Sequence, residues 1–253
     1  VQSGYYGGMR AFNFDGSTKF SVRLPQVDYW TPTLDANGAL YSWDEIAFRE
    51  HDKSTGETLW SYEDPETSHA RPHRGAAVID SGVALIQGGN FLSAFEIDTK
   101  EVIWKISTGL DLTPSTANGW VYQVAKTGAS SYTYVLHKIG LRSGKIVWSI
   151  PLQNFMPVGS PVITNDSIIL SNAATTQIYS ISDGSLWDTI DQGGYLILAE
   201  DMLCYSSNGR IVTYGRPSAD NNPPTAESLS LVTDEDAPLK IQLSGGDPDG
   251  DAL

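Results

Sequence analysis

The residues best suited to chemistry in this chain gather in two places. Ser68-His69-Ala70-Arg71-Pro72-His73-Arg74-Gly75 holds two of the four histidines and two arginines in a protein of formal net charge −14. An arginine in such a cluster grips a carboxylate or sulfate through paired N–H bonds, and a neighbouring imidazole shares a proton near neutral pH. The alternative is a solvated loop whose arginines pair with Glu63, Asp64 or Glu66. The second place is Asp247-Pro248-Asp249-Gly250-Asp251, with Glu235 and Asp236 upstream. Alternate carboxylates around a glycine turn suit Ca²⁺, a hard ion that takes about six to eight oxygens. The same residues also read as a solvated acidic turn. Neither a Ser/His/Asp arrangement nor a metal-binding histidine spacing stands out elsewhere. Cys204 sits in the apolar run Met202-Leu203-Cys204-Tyr205 and reads as a buried, inert thiol; a single cysteine allows no disulfide within the chain.

The elements that must position these residues follow from a repeat. Asp52-Lys53-Ser54-Thr55-Gly56-Glu57-Thr58-Leu59-Trp60 returns in altered form, its copies ending at Phe20, Trp60, Trp104, Trp148 and Trp187, at intervals of 40, 44, 44 and 39 residues. A fixed period of this size marks units that each form one supersecondary element and bury a face only by stacking on neighbours. Within the unit from about 26 to 66, Thr31-Pro32-Thr33-Leu34 starts a strand and Asp35-Ala36-Asn37-Gly38 makes a hairpin turn. Ala39–Trp43, Ile46–Glu50 and Thr58–Tyr62 supply three more strands. Four strands in about 42 residues make one blade of a β-propeller. Residues 67–108, 109–152 and 153–192 repeat the plan.

Four full blades are therefore expected, with partial ones at 1–25 and 193–215. The early residues supply only later strands, the late residues only earlier ones. The halves either share one blade in a small five-bladed ring or belong to a larger parent of seven or eight blades. In the closed five-bladed ring, residues 9–14 pair with a strand from 193–214. The recurring large ring, Phe20, Trp60, Trp104, Trp148 or Trp187, is expected to fill the wedge between adjacent sheets, and the glycine four residues before it to serve a turn with positive φ. These residues read as structural.

The pattern of apolar strand, Asp, Thr-Gly or Ser-Gly turn, and Trp resembles the pyrroloquinoline-quinone-like (PQQ-like) propeller repeat over residues 1 to about 216. Quinoprotein dehydrogenases share that repeat with non-catalytic relatives such as the outer-membrane assembly lipoprotein. Lys100 stands where glycine is expected, and Phe20 replaces Trp. The resemblance implies ligand binding at the channel mouth, where the innermost strands start. Trp30, His73, Arg74 and Asp111 fall there. A methanol-dehydrogenase type of quinoprotein stacks its quinone against a disulfide between adjacent cysteines, and this chain has one cysteine. Pyrroloquinoline quinone is not expected as a cofactor.

A boundary falls near Pro217. Residues 219–253 hold eight acidic residues against one lysine. Asn222-Pro223-Pro224 belongs to an extended linker over 217–226. Residues 227–253 resemble the start of the cadherin-like and immunoglobulin-like β-sandwich repeats of bacterial surface proteins, and this resemblance supports Ca²⁺ at Asp247, Asp249, Asp251 and Glu235.

The overall negative charge speaks against nucleic acid, whose phosphates call for clustered lysine and arginine. No apolar run reaches membrane-spanning length. The expected protein is an all-β piece of a longer chain, extracellular, at the cell surface or periplasmic. In it a propeller serves as a non-catalytic platform for a protein, or for a small acidic or carbohydrate ligand. The competing expectation is a quinoprotein-type dehydrogenase using pyrroloquinoline quinone and calcium.

Overall fold

In this computed structural model the described residues are 2–4, 8–24, 30–43, 47–63, 75–88, 91–109, 112–127, 133–199, 202–207, 209–215, 225–226, 228, 230, 240 and 245–246. Every regular element among them is a strand.

Three antiparallel sheets follow the four-strand plan in full sequence order. They are β10 (Val78–Asp80), β11 (Val83–Gly88), β12 (Phe91–Glu96), β13 (Glu101–Ser107); β14 (Ser115–Ala117), β15 (Trp120–Thr127), β16 (Thr133–Gly140), β17 (Ile146–Leu152); and β18 (Val162–Ile163), β19 (Ser167–Ser171), β20 (Thr176–Ser180), β21 (Leu186–Ile190). A fourth sheet precedes them: β5 (Thr33–Leu34), β6 (Leu40–Trp43), β7 (Ala47–His51) and β8 (Thr58–Glu63). These are the four full blades expected from the repeat.

The partial units are three-stranded. β1 (Gln2–Gly4), β2 (Gly8–Phe12) and β3 (Thr18–Val22) form the first sheet; β22 (Tyr195–Ala199), β23 (Met202–Ser207) and β24 (Arg210–Gly215) form the last. β1 went unread because Gln2-Ser3-Gly4 has no apolar alternation; it is a strand because it pairs with β2, Ser3 opposite Met9. β2 pairs with β1 and β3. The pairing of 9–14 with 193–214 that a closed five-bladed ring calls for is not among the described pairs.

The innermost strand of the first full blade is broken at Pro32, which has no N–H to give. Before the break, β4 (Trp30–Thr31) runs parallel to β9 (Gly75–Ala76), with Trp30 beside Gly75. After it, Thr33 and Leu34 join their own blade. The starts of two neighbouring inner strands are thus drawn side by side.

Consecutive blades bury apolar faces against each other, as the period requires. Tyr41, Trp43, Phe48 meet Ala84, Ile86 and Phe95. Leu85, Leu92 and Ala94 meet Val121 and Ile139. Tyr122, Val124 and Leu136 meet Ile168, Leu170 and Tyr179.

The repeated turn explains how each blade locks onto the next. A backbone N–H returns to the carbonyl four residues earlier: Gly56 to Asp52 (2.7 Å), Lys100 to Glu96, Gly144 to Gly140 and Gly184 to Ser180 (2.9 Å each). The Asp52 carboxylate also accepts from the Ser54 and Thr55 amides. The donor residue has positive φ in every copy, from 62° at Lys100 to 78° at Gly56. A β-bulge accompanies each, at Glu50/His51, Ala94/Phe95, Lys138/Ile139 and Ile178/Tyr179, and a fifth at Ala11/Phe12 goes with the tighter turn in which the Gly16 amide returns to the Asn13 carbonyl.

The chain divides into two compact units, Val1–Ile197 with Tyr205–Ile211, and Leu198–Cys204 with Val212–Leu253. In the second, β25 (Thr225–Ala226) pairs antiparallel with β26 (Gly245–Gly246), so two residues expected at the end of the linker lie in a strand.

Candidate functional site

The large rings come first, because they decide what is structural. Each packs on the turn of the following blade. A methyl group added at Gly56 comes within 2.5 Å of the Phe20 ring, and one at Gly144 within 2.7 Å of Trp104. At Gly184 the nearest side chains are Ile150 and Trp148. The indole N–H groups bond to the same turns, Trp104 to the Leu141 carbonyl at 2.8 Å and Trp148 to that of Ser182 at 3.2 Å. Glycine is required there twice over, for φ and for close approach. Phe20, Trp104 and Trp148 lie against the turn of the next blade, and Trp60 packs on the cluster that joins the first two full blades. Trp187 departs from the expected wedge, with 54% of its surface exposed, because no fifth turn of this kind lies over it among the described residues.

Charged groups reinforce the same junctions. Lys100, at φ 62°, replaces the glycine and places its ammonium 5.3 Å from the Trp60 ring and 5.7 Å from that of Tyr41, paired with Glu50. Arg142 pairs with Glu96 and also donates to the Ser81 carbonyl. Lys138 is buried against Trp120, 4.8 Å from the ring, and donates to the Ile181 carbonyl at 2.8 Å; burial lowers its pKa. These are cross-blade ties.

One histidine is fully enclosed. His51 Nδ1 donates to the Gly56 carbonyl at 3.1 Å, so its Nε2 accepts from the Ser42 hydroxyl at 2.8 Å. Burial pushes its pKa below the ordinary value. Both side chains are at most 2% exposed, so this Ser/His pair is a strut for the turn beneath Phe20 and reaches no substrate.

Of the residues expected at the channel mouth, His73, Arg74 and Asp111 lie outside the described residues, and only the backbone of Trp30 is described. The carboxylates expected to take Ca²⁺, Asp247, Asp249, Asp251 and Glu235, also lie outside them.

A cleft does open at the equivalent place in the fourth full blade and the sheet after it. Its volume is about 290 Å³, and Val158, Ala173, Gly194, Tyr195, Ser206 and Ser207 line it. Val158 lies ahead of β18, and Gly194 immediately precedes Tyr195, which begins β22, so two inner-strand starts frame the opening. A polar knot holds the frame. Thr176 donates to the Gln192 carbonyl at 2.6 Å, the Gly194 amide donates to the Asn172 carbonyl at 2.8 Å, and the Val158 amide to that of Ser171 at 2.9 Å. Asn172 Oδ1 accepts from the amides of Ala174 and Thr175, at 2.7 Å each. Gly193 and Gly194 are needed for closeness: an added methyl lies 2.4 Å from the Asn172 carbonyl oxygen at the first and 2.7 Å from that of Ser206 at the second.

The cleft was not foreseen, since serine, glycine and alanine carry little signal. The available hint was Gly193-Gly194 immediately before an aromatic, at the start of an inner strand. Its described lining offers hydroxyls and one aromatic ring, with no carboxylate, imidazole, amine or thiol among these residues. Hydroxyls and a ring suit hydrogen bonding and stacking; none of these described groups takes up or delivers a proton readily at neutral pH. Nor does it fit the quinone and calcium of a quinoprotein: it presents no hard anionic oxygen, and the single cysteine, half-buried Cys204, cannot make the adjacent-cysteine disulfide.

A family model described as outer membrane protein assembly factor BamB matches residues 3–186. No curated protein sequence matches the chain. The crystal structure of BamB from Moraxella catarrhalis superposes with TM-score 0.59 at 16% identity, over 79% of this chain and 62% of that one. A quinohemoprotein alcohol dehydrogenase from Pseudomonas putida HK5 does so with TM-score 0.57 at 12% identity, over 76% of this chain and 39% of that one. The chain therefore spans less than two thirds of either relative. Identities this low carry the fold and no activity.

Proposed function

The chain belongs to the PQQ-like repeat family of outer membrane protein assembly factor BamB, and on that premise we propose that it is a non-catalytic binding propeller of a modular protein outside the cytoplasm. Its ligand docks where the inner strands start. The observation that carries this reading is the cleft at Val158, Gly194 and Tyr195, a formed opening whose polar groups are hydroxyls and whose backbone amides are already bonded. A periplasmic or cell-surface setting follows the family; no helix among the described residues is long and apolar enough to cross a membrane.

The competing reading, a quinoprotein dehydrogenase, draws on the likeness to the Pseudomonas enzyme, which reaches the fold only. Incubation with pyrroloquinoline quinone, Ca²⁺ and a dye acceptor tests it. Dye reduction with alcohols or sugars overturns the binding-platform reading; no reduction above a quinone-only blank is the expected result.

The acidic segment supplies a second part of the proposal. Asp247, Asp249, Asp251 and Glu235 take Ca²⁺ once residues 227–253 are continued into a complete cadherin-like or immunoglobulin-like sandwich. Calorimetric titration of a chain carrying the whole sandwich should show saturable Ca²⁺ uptake. Absence of heat sinks that part alone.

A further inference from the structure

We infer that the cleft between the fourth full blade and the sheet after it is a site for a neutral carbohydrate. A pyranose ring lies on Tyr195 and exchanges hydrogen bonds with Ser206 and Ser207. The inference rests on the binding-platform reading above and deepens it by naming the ligand class.

Four observations converge. The first is charge. Among the described residues no carboxylate, imidazole, ammonium or guanidinium lines the cleft, in a protein of net charge −14, so an anionic ligand gains no cationic partner from them and meets a repulsive field. A cation finds no counter-charge either. The ligand is therefore uncharged.

The second is the state of the hydroxyls. Among the described residues the Ser206 and Ser207 hydroxyls and the Tyr195 phenol have no hydrogen-bond partner, whereas the Ser171 hydroxyl is bonded to the Gly194 amide and the Thr176 hydroxyl to the Gln192 carbonyl. A serine hydroxyl is one donor and two acceptors, and that mixed capacity matches a sugar hydroxyl.

The third is the ring. Tyr195 is 60% exposed, and its edge lies beside Gly159, where an added methyl comes to 3.7 Å. An exposed flat ring next to a glycine leaves room for a second flat object. A pyranose offers one: its axial C–H bonds form an apolar face while its equatorial hydroxyls project sideways. Stacking covers apolar area on both partners and leaves the hydroxyls free to reach the serines.

The fourth observation separates sugar from peptide. An extended peptide joins a sheet through free backbone N–H and C=O groups. Here the Val158 and Gly194 amides are already bonded to the Ser171 and Asn172 carbonyls. The amides that frame the cleft are thus occupied, while its side-chain hydroxyls face the opening without a described partner. Its volume of about 290 Å³ is at the small end for ligand sites and accommodates a single ring with its substituents.

The test is titration of the full chain with cellobiose, maltotriose and glucuronate, read by calorimetry and by saturation-transfer NMR. We expect saturable binding of at least one neutral sugar, with no binding of glucuronate. Tyr195→Ala should weaken it about tenfold or more through lost stacking, and Tyr195→Phe less than about threefold. Ser206→Ala should weaken it about fivefold, the ordinary worth of one hydrogen bond. Tyr195 and Ser206 are exposed, so these variants keep the wild-type melting temperature. The inference is overturned by the absence of saturable binding to either neutral sugar, by unchanged affinity in Tyr195→Ala, or by glucuronate binding as tightly as the neutral sugars. Such a failure leaves the binding-platform reading standing, whereas dye reduction with bound quinone removes that reading whatever the sugars do.

Discussion

Two junctions of the propeller solve one packing problem in opposite ways. Between the second and third full blades, Trp104 lies on Gly144, whose missing side chain lets the indole approach the backbone. Between the first and second, Trp60 faces Lys100 at the homologous position, held in the same left-handed conformation. There the side chain is kept and used: its ammonium lies over Trp60 and Tyr41 and pairs with Glu50. The repeat thus constrains the backbone of the turn more tightly than its residue type. Positive φ and the return bond to the carbonyl four residues back persist in both.

The sharpest way to break the comparison is to remove the ring. Trp104→Ala should cost about 3 kcal/mol by urea unfolding, since it deletes a wedge and its bond to Leu141. The same change at exposed Trp187 serves as control below. Gly144→Ala comes next, at about 2 kcal/mol, combining an unfavourable φ with a methyl 2.7 Å from the indole. An unaltered midpoint for Gly144→Ala would show that the turn yields and that glycine is there for history alone.

Acid provides the third test. His51 supports the Gly56 turn from inside, and burial depresses its pKa from 6.5. The unfolded chain then binds the proton more readily than the folded one. The stability that His51 contributes is complete above about 6.5 and is lost as pH falls through its lower folded value. His137 is lowered by burial too, so the arms are His51→Gln and His137→Gln, with unfolding measured at pH 7.5 and pH 5. Each variant should lose part of the acid sensitivity. In the wild type, hydrogen exchange at pH 5 should quicken at the Gly56 amide relative to those of Gly144 and Gly184; equal protection at all three would refute the strut.

Smaller effects sharpen the contrast. Lys100→Gly exchanges a cation over two rings for relief of backbone strain, and the two nearly cancel, within about 1 kcal/mol. Its signature is salt: the wild-type midpoint should fall more between low and high ionic strength than that of Lys100→Gly. Trp187→Ala should move stability by no more than about 0.5 kcal/mol.

The fold was legible because its signals are local. Asp, Gly and Trp at fixed offsets encode a turn and a wedge, and apolar alternation encodes the strands between. What escaped depends on neighbours. β1 is a strand only by pairing with β2, and Trp187 ends a copy one residue shorter than its sisters, with no covering turn of this kind among the described residues. Lys100 was visible as an exception, but nothing in the chain near it shows the Trp60 ring it would face. The cleft escaped for a stronger reason. Residues from four separate stretches, 158, 173, 194–195 and 206–207, meet there, all of common types. Sequence reasoning pointed to the starts of the inner strands as well, but there it named His73 and Arg74, whose charge is conspicuous and which lie outside the described residues.

The uneven treatment of the indoles also makes the protein its own optical gauge. Trp104 and Trp148 each donate a hydrogen bond to the next blade, Trp60 sits beneath a cation, and Trp187 meets solvent. Red-edge excitation and iodide quenching should therefore select the emission of Trp187 first. A later rise in the quenchable fraction during denaturation then dates the parting of the blades, without any label added to the chain.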